Sequence, residues 1–422
     1  MQEDFLHYIW QYQKFSKSNL QTVKGESIHV LSVGNLNTNS GPDFFNSRVL
    51  IGDQEWFGTV EIHLKSSDWF LHRHQNDKAY QNVILHVVWE DDIIVYDSNK
   101  NKLETLVLKN RVNENLLLNY KRLLQNRKWI NCENEIHTID TFTMDFWKQK
   151  LLLGRLKRKV VDLNVKLLGL NNDWESLLYQ LLAKSFGLKV NASEFDSLSQ
   201  NISFEVFKKE FSNQFKMEAL LLGHGNLLNE SSKDIYSVRL QKEYFYLKQK
   251  HKLQKSFVNF QFFRLRPSSF PTIRLSQFSM LYYHQKNLFS KIISVKTVKD
   301  IYDVFSISSS EYWENHYVLG KVSVRKKKVL SRSFIDLIIL NTIIPLKFAY
   351  AKSIDVDNVE EILSFYKAIK PEKNSTLSEF KSLKLKILNS IDSQSLIELK
   401  TQYCSKNKCL HCEIGNKLLY NS

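Results

Sequence analysis

The densest run of chemically capable side chains lies between Gly41 and His86. Asp43 follows a Gly-Pro step, Glu61, His63 and Lys65 stand at alternate positions, and Asp68, His72, His74, Asp77 and His86 come after them. Side chains alternate between the faces of a strand, so Glu61, His63 and Lys65 share one face while Val60, Ile62 and Leu64 form an apolar one. A neighbouring strand that begins at Asp43 can bring a second carboxylate to the first. Two carboxylates suit Mg²⁺ or Mn²⁺ with waters completing the shell. His63 or Lys65 can then orient or deprotonate an attacking water while the ion stabilises charge on a phosphoryl oxygen. The expected catalytic set is Asp43, Glu61, His63 and Lys65, with Asp43 and Glu61 as the metal ligands.

The histidines permit a rival arrangement. His63, His72, His74 and His86, with Asp43, Glu61 or Asp77, can hold zinc or another transition metal. His72-x-His74 is a usable ligand pair on a strand or loop, whereas on a helix the two side chains diverge by about 200°. His86, flanked by Leu85 and Val87, reads as a hydrogen-bonded structural histidine.

Four cysteines make a second constellation: Cys404, Cys409 and Cys412 close together, and Cys132 far upstream. Four thiolates are the count that zinc or an iron–sulfur cluster needs. Lys406 and Lys408 favour the thiolate forms, and His411 competes as a fourth ligand. The expected role is structural: pinning the C-terminus to the segment around Cys132. A third group is Arg264, Arg266 and Arg274, set among Pro267 and Pro271. Pro271 can start a helix, and arginines at a helix N-terminus can clamp a phosphate of DNA or RNA. They can equally pair with acidic residues and lock domains together. The basic run from Val324 to Arg332 is expected to be a solvated face, with backbone tracking as the alternative.

Elements must position these groups. The apolar spacing predicts a helix over 3–16, a short strand over 28–31, a loop over 35–42, and strands over 43–51 and 55–65 joined at Gly52-Asp53 as a hairpin. Helix-like spacing follows over 67–80, then strands over 83–89, 93–96 and 103–108, and a helix over 112–124. Beyond about residue 140 the period becomes helical. Helices are predicted over 144–169, 173–186, 203–225, 236–252, 273–292, 296–305, 332–351, 356–369, 374–390 and 393–403. The fold class expected is α+β. A mixed sheet flanked by helices occupies 1–135, and a mainly α-helical domain over 136–422 ends in the cysteine cluster.

Composition bounds the partners. The 422 residues carry a net charge of +15 and a pI near 9.3, which favours a polyanion, nucleic acid before anionic membrane. Hydrophobic residues make up 43% and aromatic residues 13%, enough for packed cores. Twelve glycines and five prolines disfavour a turn-rich all-β fold. No run of 18 apolar residues suggests a membrane span. The acidic start Met1-Gln2-Glu3-Asp4 is unlike a leader, so a cytoplasmic location is expected.

The order helix, strand, Asp-bearing hairpin strand, Glu-x-basic strand, helix, strand resembles the core of the PD-(D/E)xK nucleases. Pro42-Asp43 stands for the PD element and Glu61-Ile62-His63 for (D/E)xK, with His63 at the lysine position. The resemblance implies a nuclease-like fold, a metal at Asp43 and Glu61, and an acidic residue in the first helix, at Glu3. The departure at His63 leaves three outcomes open: His63 replaces the lysine, Lys65 reaches in, or activity is lost. Over nearly the whole chain, the segments GPDFFNSRVLIG, VEIHLKSSDW, YQNVILHVVW and FRLRPSSFPTIRL and the terminal cysteine run are similar to the domain-of-unknown-function family 2851. The function expected is a metal-dependent nuclease. The alternatives are a non-catalytic nucleic-acid-binding or scaffold protein with a degenerate nuclease fold, and a histidine-based metallohydrolase.

Overall fold

Phe5, Leu6, Ile9 and Trp10 recur at helical spacing and are fully buried along one side of α1 (Glu3–Gln11). The helix stops short of residue 16 because Gln13 turns left-handed, with φ 50°. The chain then lays down β1 (Ile28–Ser32), β2 (Asn35–Leu36), β3 (Phe44–Ile51), β4 (Gln54–Lys65), the single turn α2 (Asp68–Leu71), β5 (Val83–Glu90), β6 (Thr105–Val107) and α3 (Glu114–Gln125). The strands form one mixed sheet in the order β1-β3-β4-β5-β6, with β2 also on β3. β1, β2 and β4 each run antiparallel to β3, whereas β4–β5 and β5–β6 are parallel. The fold is α+β. The computed structural model describes residues 1–125, 128–228 and 233–420.

The β3–β4 hairpin pairs Ile51 with Gln54, leaving Gly52 and Asp53 as a two-residue turn, with Gly52 at φ 58°. In β4 every residue from Gly58 to His63 is buried. The polar face of that strand is therefore covered and does not meet solvent. Gly58 is a point of close approach: a Cβ there would lie 2.5 Å from Cγ2 of Ile84 and 2.6 Å from the carbonyl oxygen of Asn82. The parallel step from β4 to β5 needs a crossover. Here it is α2 followed by the 3₁₀ turns His74–Asn76 and Lys78–Tyr80. The continuous helix-like spacing over 67–80 breaks there because Arg73 adopts φ 62°. Residues 93–96 contribute an isolated bridge between Tyr96 and Lys102 in place of a strand. Val95 still packs with Trp69, Val83 and Leu103.

The chain divides into two compact units. The first comprises Met1–Trp147, Ser382–Leu385 and Glu398–Ser422, and the second Lys148–Lys381 and Lys386–Ile397. This differs from a break at 135 followed by a helical domain that holds the cysteines. The division falls inside the helix Thr141–Gly169, and the cysteine-bearing end belongs to the first unit. Polar contacts explain the second difference. The Tyr8 hydroxyl donates to that of Tyr420 at 2.9 Å, and the Asn119 amide donates to the Leu419 carbonyl at 3.1 Å.

The second unit is helical around a core that includes Tyr179, Phe186, Phe207, Phe278 and Tyr282. Some expected helices are split. Residues 203–225 become Phe204–Lys208 and Gln214–His224, because Asn213 caps the second piece by accepting the Lys216 N–H. Residues 273–292 become Pro271–His284 and Leu288–Ser294, and the segment predicted over 374–390 is helical only over Ser375–Ser382. The helix Arg332–Ser353 is long and apolar enough to cross a membrane by length and composition, and 78% of its apolar window is buried in the structure. It carries a π-helical turn at Ile339–Ile343, just ahead of Pro345, whose missing N–H interrupts the regular ladder.

Candidate metal centre

Three local features bring the histidines together. His63 closes the buried stretch of β4, and Glu61 lies beside His86 of β5 in the parallel register. The left-handed Arg73 separates α2 from the turn that starts at His74, so His72 and His74 do not diverge as on a helix, and their ring centroids lie 5.4 Å apart.

His63 is the hub. Its Nε2 lies 3.2 Å from Nδ1 of His72, and its Nδ1 lies 2.8 Å from Nε2 of His86. Its ring stacks against His74 with centroids 5.3 Å apart. Oε1 of Glu61 is 3.5 Å from Nε2 of His63 and 3.2 Å from Nε2 of His74. One ligand atom from each of His63, His72 and His74 lies within 4.8 Å of the others. A tetrahedral ion with bonds of about 2.0–2.1 Å to nitrogen sets neighbouring ligand atoms about 3.3 Å apart. The His63–His72 and Glu61–His74 separations, both 3.2 Å, match that edge.

Asp43 latches the two strands. Its backbone N–H donates to Oε2 of Glu61 at 3.1 Å, and its own Oδ2 accepts the Ile62 N–H at 2.9 Å. The same Oδ2 lies 3.1 Å from Nε2 of His7. Asp43 and Glu61 thus meet, but both carboxylates are already engaged by backbone donors. Lys65 sits at the exposed end of β4, where its backbone N–H donates to Asp68. Among the described residues, its side chain makes no polar contact with Asp43, Glu61 or His63. The reason is distance along the strand: Lys65 is past the covered stretch, so its long side chain goes to solvent.

Burial grades across the group. Glu61 and His63 are 5% and 1% exposed, whereas His72 is open and the side chains of His7 and Asp43 keep 24% and 21% exposure. Burial, and then the Asp43 charge, holds the Glu61 carboxyl well above the usual carboxylate range. Burial, with the neighbouring His86, His74 and His72, drives His63 down to about 2, and burial takes His86 to about 3. His74 is lowered by burial too. Burial would also lower His7, but the hydrogen bond and charge of Asp43, with Glu3 and Glu61, raise it. The core imidazoles are therefore neutral and offer lone pairs, the form in which histidine binds a metal. Nε2 of His74 and Nδ1 of His86 are buried without a hydrogen-bond partner, the former close to Glu61 but out of line with it.

Residue spacing alone leaves out His7 and Tyr80. His7 stands four positions after Glu3, one turn along α1, which is the signal that could have placed it with that acid. The charges of Asp43, His7 and Glu61 all act on Glu3, whose carboxyl is raised, chiefly by burial. Tyr80 stacks on His74 with centroids 3.8 Å apart.

The expected phosphate clamp separates. Arg264 and Arg266 are exposed, but Arg274 is 6% exposed. Arg274 lies 3.7 Å from the centroid of Phe334 and donates to Gln277 at 3.0 Å. It faces the core of the second unit because it stands one turn into a helix whose surroundings are apolar. The four cysteines line one cavity of the first unit.

The sequence model of a family described as a protein of unknown function (DUF2851) matches residues 3–375. The chain belongs to that family. The match covers the whole histidine group and stops before Cys404, so the terminal cysteine run lies beyond it. No curated protein and no solved structure matches the chain.

Proposed function

We propose that the first unit is a metal-dependent hydrolase acting on phosphodiesters, with its ion held by His63, His72 and His74 beside Glu61. The observation that carries this reading is the convergence of three imidazole nitrogens within 4.8 Å, with a carboxylate oxygen 3.2–3.5 Å from two of them. Imidazole-rich donors favour zinc and its first-row neighbours over magnesium. When bound, such an ion supplies Lewis acidity and lowers the pKa of a water. His86 fixes the ring of His63. The His7–Asp43 pair stands on the solvent side, where a proton acceptor is needed. The net charge of +15 supports a polyanionic substrate, and the order of α1, the β3–β4 hairpin, α2 and β5 supports the nuclease-like reading.

A second reading keeps Asp43 and Glu61 as ligands of Mg²⁺ or Mn²⁺; their adjacency supports it, each using the carboxylate oxygen that its backbone donor leaves free. The test uses the full chain, stripped with chelator and reloaded separately with Zn²⁺, Mn²⁺ or Mg²⁺. It is then incubated with single- and double-stranded DNA and RNA and with a bis-aryl phosphate. Tight binding of a transition ion, and cleavage abolished by His72→Ala, is the expected result. Mg²⁺-driven cleavage indifferent to His72→Ala would favour the second reading. Nucleic-acid binding with no cleavage under any ion would leave a binding protein.

A further inference from the structure

Cys132 and the C-terminal trio meet in the first unit although 272 positions separate Cys132 from Cys404 in the sequence (404 − 132). None of the four is in a disulfide. All four line one cavity, together with apolar side chains from Leu123, Leu399 and Ile414 and one cation, Lys408. Among the described residues, no carboxylate lines it. The donors are thus soft sulfur in a dry shell, a combination that selects zinc or iron–sulfur chemistry over hard cations.

Spacing separates those two. A tetrahedral zinc site with bonds of about 2.3 Å brings its sulfurs to about 3.8 Å from one another. Among the described residues, no three of these sulfurs lie within 4.8 Å of each other, the spacing that the histidine trio meets. All four thiols line one cavity without any three closing to that spacing. A cluster demands that arrangement, because a body of iron and sulfide stands between its four cysteines.

Burial pushes all four thiols up, and neither Lys406 nor Lys408 offsets it, so the thiolate form depends on a bound ion together with the donors around the sulfurs. The Asn131 amide donates to Sγ of Cys409 at 3.4 Å. The backbone N–H groups of Ile414 and Gly415, at the start of the helix Glu413–Tyr420, point at Cys412. The indole N–H of Trp147 is turned towards the same sulfur and is buried without a completed hydrogen bond. Hydrogen bonds to ligating sulfur are what tunes such centres. Gly415 is needed for this geometry, since a Cβ there would come within 2.1 Å of the Cys409 carbonyl oxygen.

We infer that Cys132, Cys404, Cys409 and Cys412 hold an iron–sulfur cluster that ties the C-terminal segment to the chain around Cys132. This centre is independent of the histidine site. The test is anaerobic purification of the full chain, followed by assay of iron, acid-labile sulfide and zinc. Iron and sulfide in equal amounts, with a broad visible absorbance bleached by dithionite, is the expected result. One zinc per chain without sulfide, or four thiols that react freely with a thiol reagent in the native protein, would overturn it. Cys409→Ser should lose colour and iron while circular dichroism reports whether it folds; if it does not fold, the wild-type stoichiometry still decides. His72→Ala should keep both colour and iron, which separates failure here from failure of the hydrolase reading.

Discussion

Nδ1 of His63 lies 2.8 Å from Nε2 of His86, and this one contact governs what the other end of the His63 ring can do. For Nε2 of His63 to present a lone pair, its proton must sit on Nδ1 and be donated to His86. His86 in turn must keep its own proton on Nδ1, the nitrogen that is buried without a partner. Partners of this kind fix the tautomer and ring orientation of a metal-binding histidine. His86→Phe keeps the apolar volume and removes the acceptor. Its affinity for the transition ion, measured by chelator competition, is expected to fall about 10–100-fold. Unchanged affinity would mean that His63 is not a ligand.

Gly58→Ala should act on the same site through the backbone. The new methyl would collide with Ile84 and with the Asn82 carbonyl, both in the segment that carries β5. Overpacking of this kind costs about 1–3 kcal/mol. Because β4 carries Glu61 and His63 and β5 carries His86, metal affinity should drop together with the denaturation midpoint. Denaturant titration followed in the sheet, alongside metal titration, checks whether both move.

How much of this was legible beforehand can be argued from single residues. The hairpin at Gly52-Asp53 was legible because turn chemistry is local. The meeting of Asp43 with Glu61 followed from strand alternation, as did the shared face of Glu61 and His63. The burial of that face was not legible: alternation tells which side a residue takes, not what covers the side. His72 and His74 depended on one left-handed residue, Arg73, of a type that rarely adopts that conformation. Arg274 misled because a basic residue at a helix start suggests an anion, whereas its burial against Phe334 depends on distant chain.

The three arginines should therefore behave differently towards nucleic acid. Arg264→Ala with Arg266→Ala removes two exposed cations. Binding should weaken, and the slope of log affinity against log salt should become shallower by up to about 0.9 per lost phosphate contact. Arg274→Ala should leave that slope alone and destabilise the second unit, since it empties a packed site and removes the donor to Oε1 of Gln277. Fluorescence anisotropy at several salt concentrations, paired with thermal melts, distinguishes the two. Equal salt slopes for wild type and the double variant would remove this segment from any nucleic-acid interface.

Glu361 provides a pH test that stays clear of the histidine and cysteine groups. Its Oε2 lies 2.9 Å from the Lys296 ammonium and its Oε1 2.9 Å from that of Lys347. Lys347 is 3% exposed and also donates to the Ile293 carbonyl at 2.7 Å and that of Val295 at 2.9 Å. Burial alone would raise the Glu361 carboxyl, but the two lysines outweigh it and hold it below its ordinary value. A depressed carboxylate contributes stability that is present above the unfolded pKa of about 4.3 and is lost as pH falls through the folded value. The urea midpoint of the second unit should accordingly decline as the solution is acidified below about pH 5. Glu361→Gln should lower that midpoint at neutral pH by the equivalent of about 1–3 kcal/mol, because the buried Lys347 charge loses its partner. The variant's acid decline should be shallower, since the group that titrates is gone. Hydrogen exchange in the helix Leu288–Ser294, whose last carbonyls Lys347 holds, is the local readout. Equal acid slopes in wild type and variant would show that this cluster does not carry the pH dependence.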